Sequence, residues 1–482
     1  MPGGGAVIVS RGQIKSLSLR ALPFSDAASE GFPLGQLLRL SLFQVSVGMA
    51  TVMLLGTLNR VMIVELGVAA TIVAIMVALP VLIAPFRALF GFKSDTYRSA
   101  IGWKRIPYMW FGTIWQMGGL AVMPFALIVL GGDTVHDVPF AGEVLAALAF
   151  LMTGLGLHMT QTAGLALASD RATEETRPRV VALLYVMFLV GAGISSLIIG
   201  WLLRDFEPIR LIRVVQGAAA MTLVLNLIAL WKQEHVRPMS REERAAPRPR
   251  FADAWAALTH GTHAGRLLVV VFMGTLAFNM QDVLLEPYGG EILGLSVSAT
   301  TLLTAQWAVG ALIGFGLAAR WLGRGDNPFR IGARGILIGL AAFSAVIFAA
   351  PLDSHLLFGT GATLIGMGGG LFAVATLTAA MALPAGHGLA LGAWGAAQAT
   401  AAGLAIALGG AIRDLVGGIA EAGHLGPALA DPATGYSVVY HLEIGLLFVT
   451  LAVLGPLVRV RALNPPQHQG QQGKFGLADL PT

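Results

Sequence analysis

Twelve apolar stretches, each long enough to cross the hydrocarbon core of a membrane, leave this chain few ways to fold. They lie at about 36–58, 68–92, 106–130, 143–169, 180–203 and 211–231, then at about 265–286, 298–321, 331–350, 356–382, 389–412 and 437–459. A spanning helix needs about 20 mostly apolar residues. Lipid offers the backbone no hydrogen bonds, so runs of this length are expected to fold as helices that satisfy their own peptide groups. The charged content agrees: it is 12%, against roughly 25% in a soluble domain.

A charged stretch from Lys232 to Arg250 separates the two sets of six. The expected organisation is an amino-terminal arm at 1–33, a six-helix half at 34–231, a basic linker at 232–263, a second six-helix half at 264–461 and a Pro/Gln-rich tail at 462–482. Parallel halves of this kind define the major facilitator architecture. The predicted fold is therefore all-α integral membrane, with twelve transmembrane helices in two halves.

Basic residues set the orientation. With the amino terminus inside, only Arg60, Arg204, Arg210, Arg213 and Arg413 of the 31 Lys and Arg fall outside. Both termini are thus expected to be cytoplasmic. The net charge of +5 reads as basic loops facing anionic lipid, not as a nucleic-acid surface. The absence of cysteine excludes thiolate metal sites and thiol nucleophiles. No HExxH, Walker loop, nucleotide-binding GxGxxG or nucleophile elbow is present. The chain is therefore read as a protein that is not an enzyme.

Ionisable groups inside a membrane are costly and point to function. Span one ends in Asn59-Arg60 and span seven carries Gln281-Asp282 at the matching place, a short internal echo of duplication. Arg60 and Asp282 are read as an interdomain charge pair. Glu286 and Pro287 precede Tyr288-Gly289-Gly290, read as a helix end. The loop after span two holds Gly91, Asp95 and Arg98, read as a gate in which Asp95 caps a helix and pairs with a nearby arginine. His158 is the one histidine deep in a span, either a hydrogen-bonded structural group or a ligand. No span holds two acids near mid-depth, so a proton relay is poorly supplied.

LNRVMIVELGV (58–68), APFRALFGFKSDTYRSAIGWKRIPYMW (84–110) and MQDVLLEPYGGEILG (280–294) resemble the PucC/LhaA family, the bacteriochlorophyll delivery branch of the major facilitator superfamily in phototrophic bacteria. The resemblance implies a light-harvesting complex assembly factor. It would bind bacteriochlorophyll as cargo, with carotenoid a further candidate, and deliver it to antenna subunits. Length and the long amino-terminal arm look closer to the branch serving the core antenna, LH1, than to that serving LH2. The implied partners are the antenna subunits, the pigment synthase and the reaction centre complex. The implied location is the bacterial inner, intracytoplasmic photosynthetic membrane.

A flat macrocycle with an apolar tail and a magnesium needs an apolar slot, stacking partners and a few polar groups. Under that implication the candidate pigment-binding residues are His158, Gln161, Asn279, Gln281, Trp115, Trp307 and Trp394. His158 is the candidate axial ligand to magnesium, a place that water can also fill. The competing readings are an LH2 assembly member, a secondary solute transporter, and a membrane partner that carries no pigment.

Overall fold

The computed structural model describes residues 25–58, 61–62, 66, 68, 70–131, 140–203, 207–234, 236, 238, 240, 250–260, 263–295, 297–383, 387–431 and 433–459. The tail at 462–482 and most of the arm at 1–33 lie outside them, as do Asn59, Arg60 and Glu65. The described residues are almost entirely helical, and ten helices are long and apolar enough to cross a membrane. The chain is a multi-pass membrane protein.

The first half begins with α1 (Leu34–Thr51), prolonged by a wider π-helical turn at Val52–Leu58. α2 (Ala70–Ile83) and α3 (Arg87–Asp95) follow each other as one rod, interrupted by the 3-10 turn Ala84–Phe86. Pro85 lies in that turn, where its missing N–H leaves the α-helical ladder unclosed. α4 (Ile106–Leu130), α5 (Ala141–Arg171), α6 (Arg177–Leu202) and α7 (Pro208–Leu230) complete the half. Pro107, Pro178 and Pro208 sit at the first helical positions, where a missing N–H costs nothing.

The linker contains a short helix, α8 (Phe251–His260). Its Phe251 meets Phe92 of α3 edge-on at 5.4 Å and stacks on Trp255. The second half follows: α9 (Ala264–Asn279), a 3-10 turn at Met280–Val283, α10 (Leu285–Glu291), α11 (Val297–Gly323), α12 (Pro328–Ala349), α13 (His355–Met381), α14 (His387–Glu421) and α15 (Ala433–Arg459). Asn327 and Ser354 cap α12 and α13, accepting from the amides of Phe329 and Leu357 at 2.8 and 3.2 Å.

The reading of Glu286-Pro287 as a helix end is corrected here. The helix breaks earlier, at 280–283, and α10 then runs through Pro287 and both glycines to Glu291. Proline is tolerated in that first turn because its amide would have had no partner there. Glu286 accepts from Thr304 of α11 at 2.6 Å, and Glu291 accepts from Tyr436 at 2.7 Å and Arg413 at 2.6 Å. These bonds hold α10 against its neighbours.

Lipid gives little hydrophobic reward for helix association, so close contact between backbones does the work. A Cβ on Gly112 would meet Thr160 of α5 at 2.5 Å, and one on Gly119 would collide with Thr153. Gly310 and Gly314 let α11 lie on α13, and Gly335 and Gly368 do the same for α12 and α13. Large apolar side chains instead line the periphery, as at Leu197, Trp201 and Leu356.

One end of the bundle is basic. There the segment before α1 is tied down by an ion pair from Arg179 to Asp26 at 3.2 Å. Arg171 donates to the Gly31 carbonyl and lies over the Phe32 ring. At the same end Glu234, just beyond α7, accepts from the amides of Lys104, Arg105 and Ile106 at 3.0–3.2 Å. A carboxylate there satisfies orphan donors and the positive helix end at once.

Candidate functional site: a cavity between the halves

The two halves close on each other at the basic end. Gly91 of α3 faces Gly388 of α14 so closely that a Cβ on either would strike the other's carbonyl oxygen. Gly392 meets the Arg87 backbone and Gly395 its guanidinium, so three small residues on α14 receive 87, 91 and 95 on α3. Asp95 accepts from the amides of Gly388 at 3.0 Å and Leu389 at 2.7 Å, capping α14 from the other half. The same carboxylate pairs with Arg105 at 2.5 Å, and Arg105 reaches Asp170 at 2.9 Å. Burial works against the Arg105 charge, but the two carboxylates outweigh it and hold its pKa above the ordinary arginine value. Of the predicted gate residues, Gly91 and Asp95 lie on this seam. Arg98 is half-buried in the loop that follows, and Arg105 is the arginine on Asp95.

Above this seam lies a cavity of about 260 Å³, walled by α6 from the first half and α9, α11, α13 and α14 from the second. Seven aromatic side chains line it, Tyr185, Phe188, Phe278, Trp307, Phe315, Phe372 and Trp394, among smaller aliphatic and polar residues. Tyr185 and Phe315 bridge the halves with ring centroids 5.0 Å apart. Gly369 and Gly370 give α13 a flat wall, and the Trp394 indole donates to Thr376 at 3.3 Å. Asn279, Asp282 and Gln398 supply polar groups. Asp282 accepts from Asn279 at 2.9 Å and from Gln281.

The candidates divide. Asn279, Trp307 and Trp394 line the cavity, as does Asp282. His158, Gln161, Gln281 and Trp115 do not. Gln281 is buried behind the helix break, and its amide N–H donates to Glu443 at 2.7 Å. His158 lies beside Pro80, its Nε2 3.1 Å from the carbonyl oxygen. A carbonyl only accepts, so Nε2 carries the proton and Nδ1 is left without a partner. Trp115, a candidate for stacking inside the bundle, instead faces outward: it is 42% exposed, because α4 turns Gly112 and Gly119 toward α5 and its bulky residues outward. The Arg60–Asp282 pair lies outside the described residues on the Arg60 side.

Two charged residues escaped the sequence reading. Arg87 is 2% exposed in the span-two rod, and its Nε donates to Thr162 at 3.1 Å. Glu443 is fully buried on α15 against the break in span seven. A signal was available in both cases: Arg87 is the one charged residue in its apolar run, and Glu443 the one acid in its own.

A model of the PUCC protein family matches residues 57–462. The chain belongs to the PucC family. A relative in Rhodobacter capsulatus, named as an uncharacterized protein in the puhA-bchM intergenic region, is 64% identical over 99% of this chain and 100% of that protein. Protein PucC of Rhodovulum sulfidophilum is 55% identical over 84% of this chain and 90% of its own. The bacteriochlorophyll synthase 44.5 kDa chain of Rhodobacter capsulatus is 28% identical, covering 87% of this chain and 94% of that one. Among solved structures, the major facilitator transporter FucP in its outward conformation superposes with a TM-score of 0.64 at 16% identity, covering 88% of this chain and 99% of that one. This PucC-family chain therefore has the major facilitator fold.

Proposed function

We propose that this PucC-family protein binds bacteriochlorophyll in the cavity between its halves and delivers it to light-harvesting antenna subunits, those of LH1 before those of LH2. The observation that carries the reading is an aromatic, charge-poor cavity enclosed by spanning helices in a chain of this family. Stacking faces and a few convergent polar groups are what a flat apolar ligand needs. A volume of about 260 Å³ is below the roughly 300–1,000 Å³ usual for small-molecule sites. A long-tailed pigment therefore enters with its ring while its tail stays in lipid, or after the halves part. The Trp307 and Trp394 faces would stack on the ring. Water or an amide such as Asn279 would serve its magnesium, since His158 lies outside the cavity.

In this reading the protein is a carrier and chaperone, not a catalyst. It sits in the intracytoplasmic photosynthetic membrane with both termini cytoplasmic. The antenna subunits, pigment synthase and reaction centre complex are its partners, and carotenoid is a second cargo. The test is mild-detergent purification from a pigment-making phototroph, followed by near-infrared absorption. Pigment that co-purifies with the wild type, and is lost on substituting Trp307 and Trp394 together, supports the reading. A colourless preparation from pigmented cells refutes it.

A specific observation favours one competing reading, that of an ion-coupled transporter. Asp282 and Glu443 flank the same helix break, a pairing of acids from two different spans. Proton-dependent uptake of a soluble solute in vesicles, abolished by Asp282→Asn, would favour it.

A further inference from the structure

Span seven is broken where it meets the cavity. The α9 ladder stops at Asn279, and the 3-10 turn at Met280–Val283 carries Asp282. Two neighbours grip this turn. Glu443 of α15 accepts from the Gln281 backbone N–H at 2.7 Å, and α14 packs so closely that a Cβ on Gly409 would meet the Met280 carbonyl oxygen at 2.6 Å. Broken spans in membrane carriers present ligand-binding groups in this way. Asp282 is the one charged side chain among those lining the cavity, and it is exposed there instead of packed.

The carboxylate is oriented but not used up. Asn279 donates to its Oδ2 at 2.9 Å and Gln281 to its Oδ1. A carboxylate has about four acceptor sites, so each oxygen keeps a lone pair. Its depth in the membrane matches that of one aromatic wall. Asp282 stands about 27 Å from the start of α9 and Trp307 about 24 Å from the end of α11, whereas Trp394 is only about 10 Å from the start of α14. All three of those helix ends lie at the basic end of the bundle. No basic residue lines the cavity, so the electropositive group that suits Asp282 is one the ligand brings. Magnesium favours oxygen ligands, and a flat ring around it suits aromatic walls.

We propose that the Asp282 carboxylate is the axial ligand to the magnesium of a ring bound in the cavity, with the metal at the depth of Trp307. This rests on the reading of the cavity as a pigment site and names its metal-binding group. An axial water leaves as a carboxylate oxygen takes its place, so the metal keeps five ligands. Asn279 is then a positioning residue, since its side-chain N–H is committed to Asp282. The consequence is selectivity: the site takes the magnesium pigment and passes over the metal-free ring of the same shape, whose centre offers no vacant ligand position. The esterified tail plays no part in that choice.

The test uses the full chain in detergent and two probes that differ only at the ring centre: bacteriochlorophyll a and bacteriopheophytin a, which carries two protons in place of the metal. Binding is read from quenching of tryptophan fluorescence. The wild type is expected to prefer the magnesium probe by about tenfold or more, the size of one bond to a charged group. Asp282→Leu brings the two probes within about twofold while the affinity for the metal-free ring holds, and Asp282→Asn, which keeps an oxygen but not the charge, falls between. Equal affinities in the wild type overturn the ligand assignment and leave the pigment site standing, and this comparison needs no variant to fold. A magnesium preference that survives in Asp282→Leu also overturns the assignment, as does loss of both probes from a variant that melts like the wild type. Binding of neither probe to the wild type overturns the pigment site and the ligand with it.

Discussion

Asp95 in one half accepts the backbone N–H of Leu389 in the other at 2.7 Å. A carboxylate and a helix start from opposite halves thus close the basic end, with Arg105 completing the lock. Asp95→Ala should loosen this seam. The chain has no cysteine, so a single cysteine at Thr376 on the cavity wall reports access directly. Labelling by a water-soluble maleimide added from the basic side should rise several-fold in the Asp95→Ala background. Unchanged labelling would show that the seam holds without the carboxylate.

Gly91→Ala should destabilise the closed form. Its Cβ would strike the Gly388 carbonyl, and because both partners are backbone neither can turn aside. Overpacking of this kind costs about 1–3 kcal/mol. Gly410 on α14 has open space around its Cα, so Gly410→Ala should be neutral or stabilising by up to about 1 kcal/mol. Thermal unfolding of both variants in one detergent makes the comparison.

Glu443 holds the break in span seven through a hydrogen bond that its carboxylate accepts from the Gln281 backbone N–H at 2.7 Å. Glu443→Gln keeps an acceptor for the Gln281 N–H and should unfold close to the wild type. Glu443→Leu leaves that buried donor unsatisfied, at a cost of about 1–3 kcal/mol. Equal melting of the two variants would remove the bond from the account of the break.

Trp307 and Trp394 line the cavity whereas Trp115 faces outward. Trp394→Ala should lower co-purified pigment several-fold, and Trp115→Ala should leave it unchanged. Pigment-to-protein absorbance ratios of the purified variants decide this. An equal loss from both would place the pigment on the outer face of the bundle.

Hydropathy made the spans readable, because each had to be apolar whatever it touched. The same property hid the site. Trp115 and Trp394 look alike in an apolar run, yet one meets lipid and the other a neighbouring helix, and in a membrane protein both environments favour apolar side chains. Asp95 was legible because its loop spacing implies a capping role, although its arginine proved to be Arg105 and its capped helix belongs to the other half. Arg87 and Glu443 were passed over, the first inside APFRALF and the second two residues from His441. The Phe278, Phe315 and Phe372 wall carried no signal, since aromatic residues at helical spacing more often serve packing.

The carboxylate of Glu234 has a mechanical consequence. By gripping three successive amides at the start of α4 from beyond the end of α7, it staples the third span to the sixth. Relative sliding of those helices would strip the grip away. The first half should therefore swing as a single block, with any change of shape concentrated where the two blocks meet.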